Sequence, residues 1–128
     1  MSNLIDLIGR VLISSVFLFS GYNKIFSYVE TATWMEGFSI PGFLLIPAII
    51  LEIFFPILII VGYRVKLAAT LLAIFSIATG VIFHLDFSNQ MQIIQLLKNF
   101  GLAGGFLFIA VNGPKEWAID TKKKYVRL

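Results

Sequence analysis

Residues 43–61 read FLLIPAIILEIFFPILIIV, and this stretch decides the fold. It is nineteen residues long and carries one charged residue, Glu52. A helix crosses the hydrocarbon core of a bilayer in about 17 to 25 residues, so the length fits a transmembrane span. In water, so many β-branched and aromatic residues would argue for strands. In lipid, every backbone donor and acceptor must be satisfied within the segment, which makes helix the expected state. Pro56 does not interrupt this reading, although its missing N–H leaves the carbonyl of Glu52, one turn back, without its usual donor.

Outward from this stretch, residues 4–26, 67–83 and 93–111 have the same character. Over the whole chain 59% of residues are apolar and 13% are charged. A small soluble domain buries only about 60 to 70% of its surface, so much of that apolar material would be left facing water. The expected fold is therefore all-α: an integral membrane four-helix transmembrane bundle, one transmembrane domain over residues 1–128. The first span is too long for a signal-peptide core, contains Arg10, and is followed by Tyr22-Asn23-Lys24 where a cleavage site would need small residues. It reads as a retained helix. Residues 28–38, with Trp34 and Met35 beside Glu30 and Glu36, are expected to lie as a short segment in the interface.

Positive residues set the expected orientation, because Lys and Arg accumulate on cytoplasmic flanks. Arg64 and Lys66 lie between the second and third spans, and Lys115, Lys122, Lys123, Lys124 and Arg127 follow the fourth. The opposite connections carry Glu30, Glu36 and Asp86, with Lys24 at their edge. Both termini are thus expected in the cytoplasm of a multi-pass inner-membrane protein. The basic tail is expected to lie against anionic lipid headgroups, and nothing in the chain points to nucleic acid as a partner.

The chain has no cysteine and one histidine, His84. It can build no disulfide, thiolate nucleophile or iron–sulfur cluster, and one copy cannot supply a multi-histidine metal site. No metal site is expected, and no covalently bound cofactor. Any redox chemistry requires an electron carrier from elsewhere.

Ionisable residues within spans cost roughly 2.5 to 3.5 kcal/mol each at the bilayer centre, so they are expected to face protein. Arg10, Ser14, Phe17, Gly21 and Lys24 share one face of the first helix at helical spacing. Ala48, Glu52 and Pro56 form a line on the second, and Ala69, Ala73, Ser76, Gly80 and His84 on the third. Lys98, Gly101 and Gly105 share a face on the fourth, where Gly101 and Gly105 make a GxxxG spacing. Turning all four stripes inward places Glu52 about 14 Å from the outer surface, with Lys98 at similar depth as its expected ion-pair partner. Lys24, His84 and Asp86 fall nearer the outer mouth. Such a cluster either fixes helix register or lines a polar cleft with exchangeable protons.

The ordered motifs RVLISSVFLFSGYNK (10–24), SIPGF (39–43), Glu52, GYRVKLAA (62–69), His84 and LLKNFGLAGG (96–105) resemble the DoxX-like family of small four-helix membrane proteins. The positions that match the family are Arg10, Gly21, Lys24, Glu52, His84, Lys98 and Asn99. The resemblance implies an inner-membrane protein with relatives that include the quinone-reducing subunit of an archaeal thiosulfate oxidoreductase. It makes Lys24, Glu52, His84, Lys98 and Asn99 the candidates for a pocket or proton relay, with Arg10, Ser14, Gly21, Gly101 and Gly105 as structural polar or small residues. Three readings follow, in order of preference. The first is a quinone-linked redox protein or subunit, fed by a redox partner protein. The second is an accessory or assembly subunit of a larger membrane complex, and the third a small transporter or proton conductor. Whether the helices close on themselves or form a homo-oligomer through the Gly101 to Gly105 face stays open at the level of sequence.

Overall fold

The computed structural model describes residues 1–121. The basic stretch Lys122, Lys123, Lys124 and Arg127, expected to lie against headgroups, falls outside the described residues. The described chain is all-α. In order it runs α1 (Ser2–Phe26), α2 (Tyr28–Glu36), a 3-10 turn (Gly42–Leu44), α3 (Leu45–Val61), α4 (Val65–Phe83) and α5 (Gln90–Asn112). Four stretches are long and apolar enough to cross a membrane: Ser2–Phe26, Gly42–Val61, Val65–Phe83 and Gln90–Asn112. The helix between the first two is the short segment expected at the interface; its Trp34 is exposed and stacks edge-on against Phe38, ring centroids 5.1 Å apart.

The helix ends explain the small differences from the expected boundaries. Between α3 and α4 only residues 62–64 are not helical. Gly62 adopts φ +83°, and the amides of Gly62 and Tyr63 both donate to the Leu58 carbonyl at 2.8 and 2.9 Å. A left-handed residue after the last helical turn is a frequent way to end a helix, and glycine adopts it without Cβ strain. So tight a turn lets α4 begin at Val65, two residues before the apolar run. At the start of α5, Asn89 caps the helix, its side-chain oxygen accepting from the Met91 amide at 2.9 Å. That cap extends α5 three residues ahead of the apolar stretch.

The chain forms two compact units, one made of residues 1–64 with 114–121 and the other of residues 65–113. In the first unit α1 packs on α3. The buried residues of α1 are Arg10, Ser14, Phe17 and Gly21, and those of α3 are Leu45, Glu52, Pro56 and Ile59. Ala48, expected in line with Glu52, is half-buried. The close approach occurs at Gly21, where a Cβ would sit 2.8 Å from Ile53 Cγ1 and 3.3 Å from Glu52 Cβ. Residues after Pro114 return to this unit. Ala118 is buried with its Cβ against the bare face of Gly62, and the Asp120 amide donates to the Gly62 carbonyl at 2.7 Å.

In the second unit α4 packs on α5, and its core is small-residue rich: Ala68, Ala69, Ala73, Ser76 and Gly80, with Leu72 among them. At Gly80 a Cβ would lie 3.2 Å from Asn99 Cβ and 3.3 Å from Leu96 Cδ1, so the missing side chain admits α5. Hydroxyls on α4 close back on their own helix: Thr70 on Lys66, Ser76 on Leu72 and Thr79 on Phe75. A donor satisfied this way presents no unpaired group to lipid.

The face of α5 that packs is not the one expected to turn inward. Its buried residues are Leu96, Ala103 and Phe106, whereas Lys98 and Gly101 are exposed, Gly105 is half-buried, and a Cβ on Gly101 would meet nothing within 4 Å. The reason is local. Asn99 and Leu96 seat against Gly80, and that seating rotates the face carrying Lys98 and Gly101 away from α4.

Candidate functional site

Arg10 is the largest of the fully buried side chains, with 2% of its surface exposed. Its position follows from α1: in the third turn of a helix of about 37 Å, on the face that meets α3. A guanidinium there needs acceptors, and the C-terminal end of α3 has them. The last carbonyls of a helix lack intrahelical donors, and Arg10 Nη1 donates to those of Ile59 and Ile60 at 2.9 and 2.8 Å. Nη2 donates to the Trp117 carbonyl at 2.6 Å, and Nε to Asp6 Oδ2 at 2.9 Å. Asp6 also accepts from the Lys115 amide at 3.1 Å, and Asn3 Oδ1 from the Glu116 amide at 3.3 Å. One cation thus ties together the start of α1, the end of α3 and the segment after Pro114. A positive charge at a helix C-terminus is also favoured by the helix dipole.

Fourteen residues further along the same face, α1 brings a second charge to α3. Lys24 Nζ donates to Glu52 Oε1 at 2.6 Å. Sequence reasoning gave Glu52 to Lys98; the carboxylate instead takes Lys24, because Gly21 lets α1 settle against Glu52 one turn below the lysine. Glu52 sits one residue from the middle of α3 and its side chain is 3% exposed, while that of Lys24 is 27% exposed. The pair is therefore buried at the acid and partly open at the base. Glu52 Oε2 is buried and has no hydrogen-bond partner; the same holds for Ser14 Oγ, between Arg10 and Lys24 on α1. The Ser20 hydroxyl lies close enough to the carboxyl to interact with it.

The other candidates lie in the second unit. His84, just past the end of α4, is half-buried, and its Nδ1 is 2.7 Å from Gln92 Oε1 on the first turn of α5. Asp86, in the intervening loop, is exposed and is taken up by the turn: its carboxylate accepts from the amide and hydroxyl of Ser88, and its carbonyl from the Asn89 amide. Asn99 donates to Thr79 Oγ1 at 3.4 Å. Lys98 is exposed and makes no ion pair among the described residues.

Sequence reasoning missed Asp6, Thr79, Gln92 and the Trp117 carbonyl. Asp6 could have been found from its i, i+4 spacing to Arg10. Gln92 had a weaker signal, a polar residue on the first turn after the loop that follows His84. The carbonyls that hold Arg10 had none, since every residue carries one.

Residues 5–85 match the DoxX family. Arg10, Lys24, Glu52 and His84 lie within the matched residues, and Lys98 and Asn99 beyond them. The chain is 33% identical over 114 residues to the inner membrane protein YqjF of Escherichia coli (strain K12), covering 89% of this chain and 88% of that one. It is 28% identical over 123 residues to the inner membrane protein YphA of the same organism, covering 91% and 88%. No solved structure matches.

Proposed function

The chain belongs to the DoxX family of membrane proteins, and from that premise we propose that it is a quinone-linked inner-membrane protein whose working site is the Lys24–Glu52 pair. The observation that carries this reading is a buried carboxyl near the middle of an apolar helix, with one oxygen held by a partly open lysine and the other unpartnered. Intramembrane ionisable groups are costly and are retained where they move protons or bind polar ligands. The residues fit a quinone headgroup in kind: Lys24 has N–H donors to spare for a carbonyl, and Glu52 can hold or give up a proton beside it. Quinone bound there would supply two-electron chemistry, with electrons from a partner redox protein and one proton per oxygen. The chain's own part is to orient a headgroup through Lys24 and to pass protons at Glu52.

A detergent-solubilised preparation titrated with a soluble short-chain quinone tests this through tryptophan fluorescence. Saturable quenching in the wild type, weakened at least about tenfold in Glu52→Gln (about 1.4 kcal/mol of binding), supports the proposal. Absence of saturable quenching in the wild type rejects it and leaves the accessory-subunit reading, in which the pair only sets how α1 and α3 pack.

The proposed topology places both termini in the cytoplasm. Arg64, Lys66 and Lys115 flank one side of the spans, and Glu30, Glu36 and Asp86 the other, the asymmetry that orients membrane helices. Since the chain has no cysteine, single cysteines at Ser39 and at Thr121 report sidedness cleanly. A membrane-impermeant maleimide added to whole cells should label the Ser39→Cys variant and spare Thr121→Cys; the reverse pattern inverts the topology.

A further inference from the structure

The two charged sites on α1 differ in a way that bears on where protons come from. We propose that Glu52 exchanges its proton with one side of the membrane only, the side on which Lys24 opens, and that Arg10 closes the other side. This rests on the reading of Glu52 as a proton-exchanging group.

The open end is Lys24. Its side chain is 27% exposed and touches Glu52 directly, so the carboxyl is one hydrogen bond from the surface in that direction. An ammonium has three rotatable donors and can shuttle a proton between an acid and solvent.

The closed end is built differently. Arg10 lies eleven residues from Gly21, about 16 Å along α1, and fills the space between α1, the end of α3 and the segment after Pro114 with 2% exposure. Four hydrogen bonds fix its guanidinium, three to backbone carbonyls and one to Asp6. A guanidinium has no acceptor and is not deprotonated in proteins, so it cannot relay a proton. As a fixed cation it also repels one, the device by which pores exclude protons. Asp6 beside it is bound by Arg10 and the Lys115 amide. Between Arg10 and Glu52 the α1 face offers Ser14, a buried hydroxyl without a partner, and Phe17, which is 6% exposed. One hydroxyl followed by a phenyl ring does not make a continuous wire.

The charged groups around Glu52 are few. From α1 it faces Lys24, with Ser20 nearby; α3 has no other charge, and the 3-10 turn has none. The acids of α2, Glu30 and Glu36, are exposed. Lys24 therefore governs both its charge and its access.

The test uses full-length protein in liposomes sorted by capture of a C-terminal tag, so that one preparation shows the Lys24 face outward and the other the Arg10 face. External pH is stepped under perfusion with the lumen buffered, and the infrared carbonyl stretch of a protonated carboxyl is followed; Glu52→Gln identifies the band by its loss. The expected result is a change in that band when the Lys24 face is outward and none when the Arg10 face is outward. A response from the Arg10 face overturns the proposal, and so does no response from either. The quinone titration is independent of this readout. Loss of quinone binding with one-sided exchange intact sinks only the ligand, and binding with two-sided exchange sinks only the closure. If the Gln variant does not fold, Glu52→Asp serves, since it keeps the carboxyl and shifts the band.

Discussion

The two helix pairs of this protein solve the same problem by different means. Between α1 and α3 the contact is organised by charge: Arg10 on the last carbonyls of α3 at one end and Lys24 on Glu52 at the other, with Gly21 setting the distance between the helices. Between α4 and α5 there is no ion pair among the described residues. Alanines, Ser76 and Gly80 let the backbones approach, and the polar contacts are His84 with Gln92 and Asn99 with Thr79. In lipid there is no hydrophobic driving force between helices, so association comes from packing and from polar contacts. Small residues give adhesion with little direction. Charges give direction, because each has few places to go. The pair that needs a fixed geometry around a carboxyl is the one built on charge.

If that contrast is right, the largest loss comes from removing Arg10. Arg10→Met roughly keeps volume but leaves the Ile59, Ile60 and Trp117 carbonyls without this donor in a buried site, and Asp6 with only the Lys115 amide. Removing one partner of a buried charged network typically costs about 3 to 5 kcal/mol. Thermal unfolding in detergent, followed by helical circular dichroism, should show that loss in full. Arg10→Lys should recover little of it, because a single ammonium cannot span the fork of acceptors. If either variant is within about 0.5 kcal/mol of wild type, in the range of an ordinary surface change, then Arg10 does not organise this pair.

The sequence made one half of this contrast legible and hid the other. On α1 the residues spaced by four, three and four, Arg10, Ser14, Phe17 and Gly21, are the buried ones, because a helix with a charge and a glycine on a single stripe has only one face that can meet protein. The four spans and the short segment after the first were also readable, since span length and a tryptophan set among acids each carry a local physical cause, whereas the Gly62 stop was not read. The partner of Glu52 was not readable. Depth pointed to Lys98 and put Lys24 too near the outer mouth, and the choice of Lys24 is made by the α1–α3 distance at Gly21, a tertiary quantity. The packed face of α5 was misread for a related reason. Its apolar residues run all the way round, so no stripe is distinguished, and the rule that charge and GxxxG turn inward pointed to Lys98 and Gly101 while Leu96 and Asn99 took the seat on Gly80.

The glycines give the sharpest form of the comparison, since the same substitution probes a closed contact and an open one. At Gly21 an added methyl meets Ile53 Cγ1 at 2.8 Å and Glu52 Cβ at 3.3 Å, so α1 must move off α3 or Ile53 must repack. Overfilling a packed contact costs about 1 to 3 kcal/mol, and here it also lengthens the reach from Lys24 to Glu52. Gly21→Ala should therefore lower stability and weaken quinone quenching together. At Gly101 the same methyl meets nothing within 4 Å. Gly101→Ala should leave stability within about 0.5 kcal/mol of wild type, the range of a surface change, with any shift toward greater stability from the better helix former. Unfolding midpoints of the two variants, measured side by side in the same detergent and again in liposomes, decide the matter. A large loss for Gly101→Ala confined to liposomes would mean that the exposed face of α5 packs on another helix in the membrane, and the GxxxG spacing would regain the role its sequence suggested. Equal small losses at both glycines would remove the distinction between the pairs, because the α1–α3 distance would then not be what holds Lys24 against Glu52.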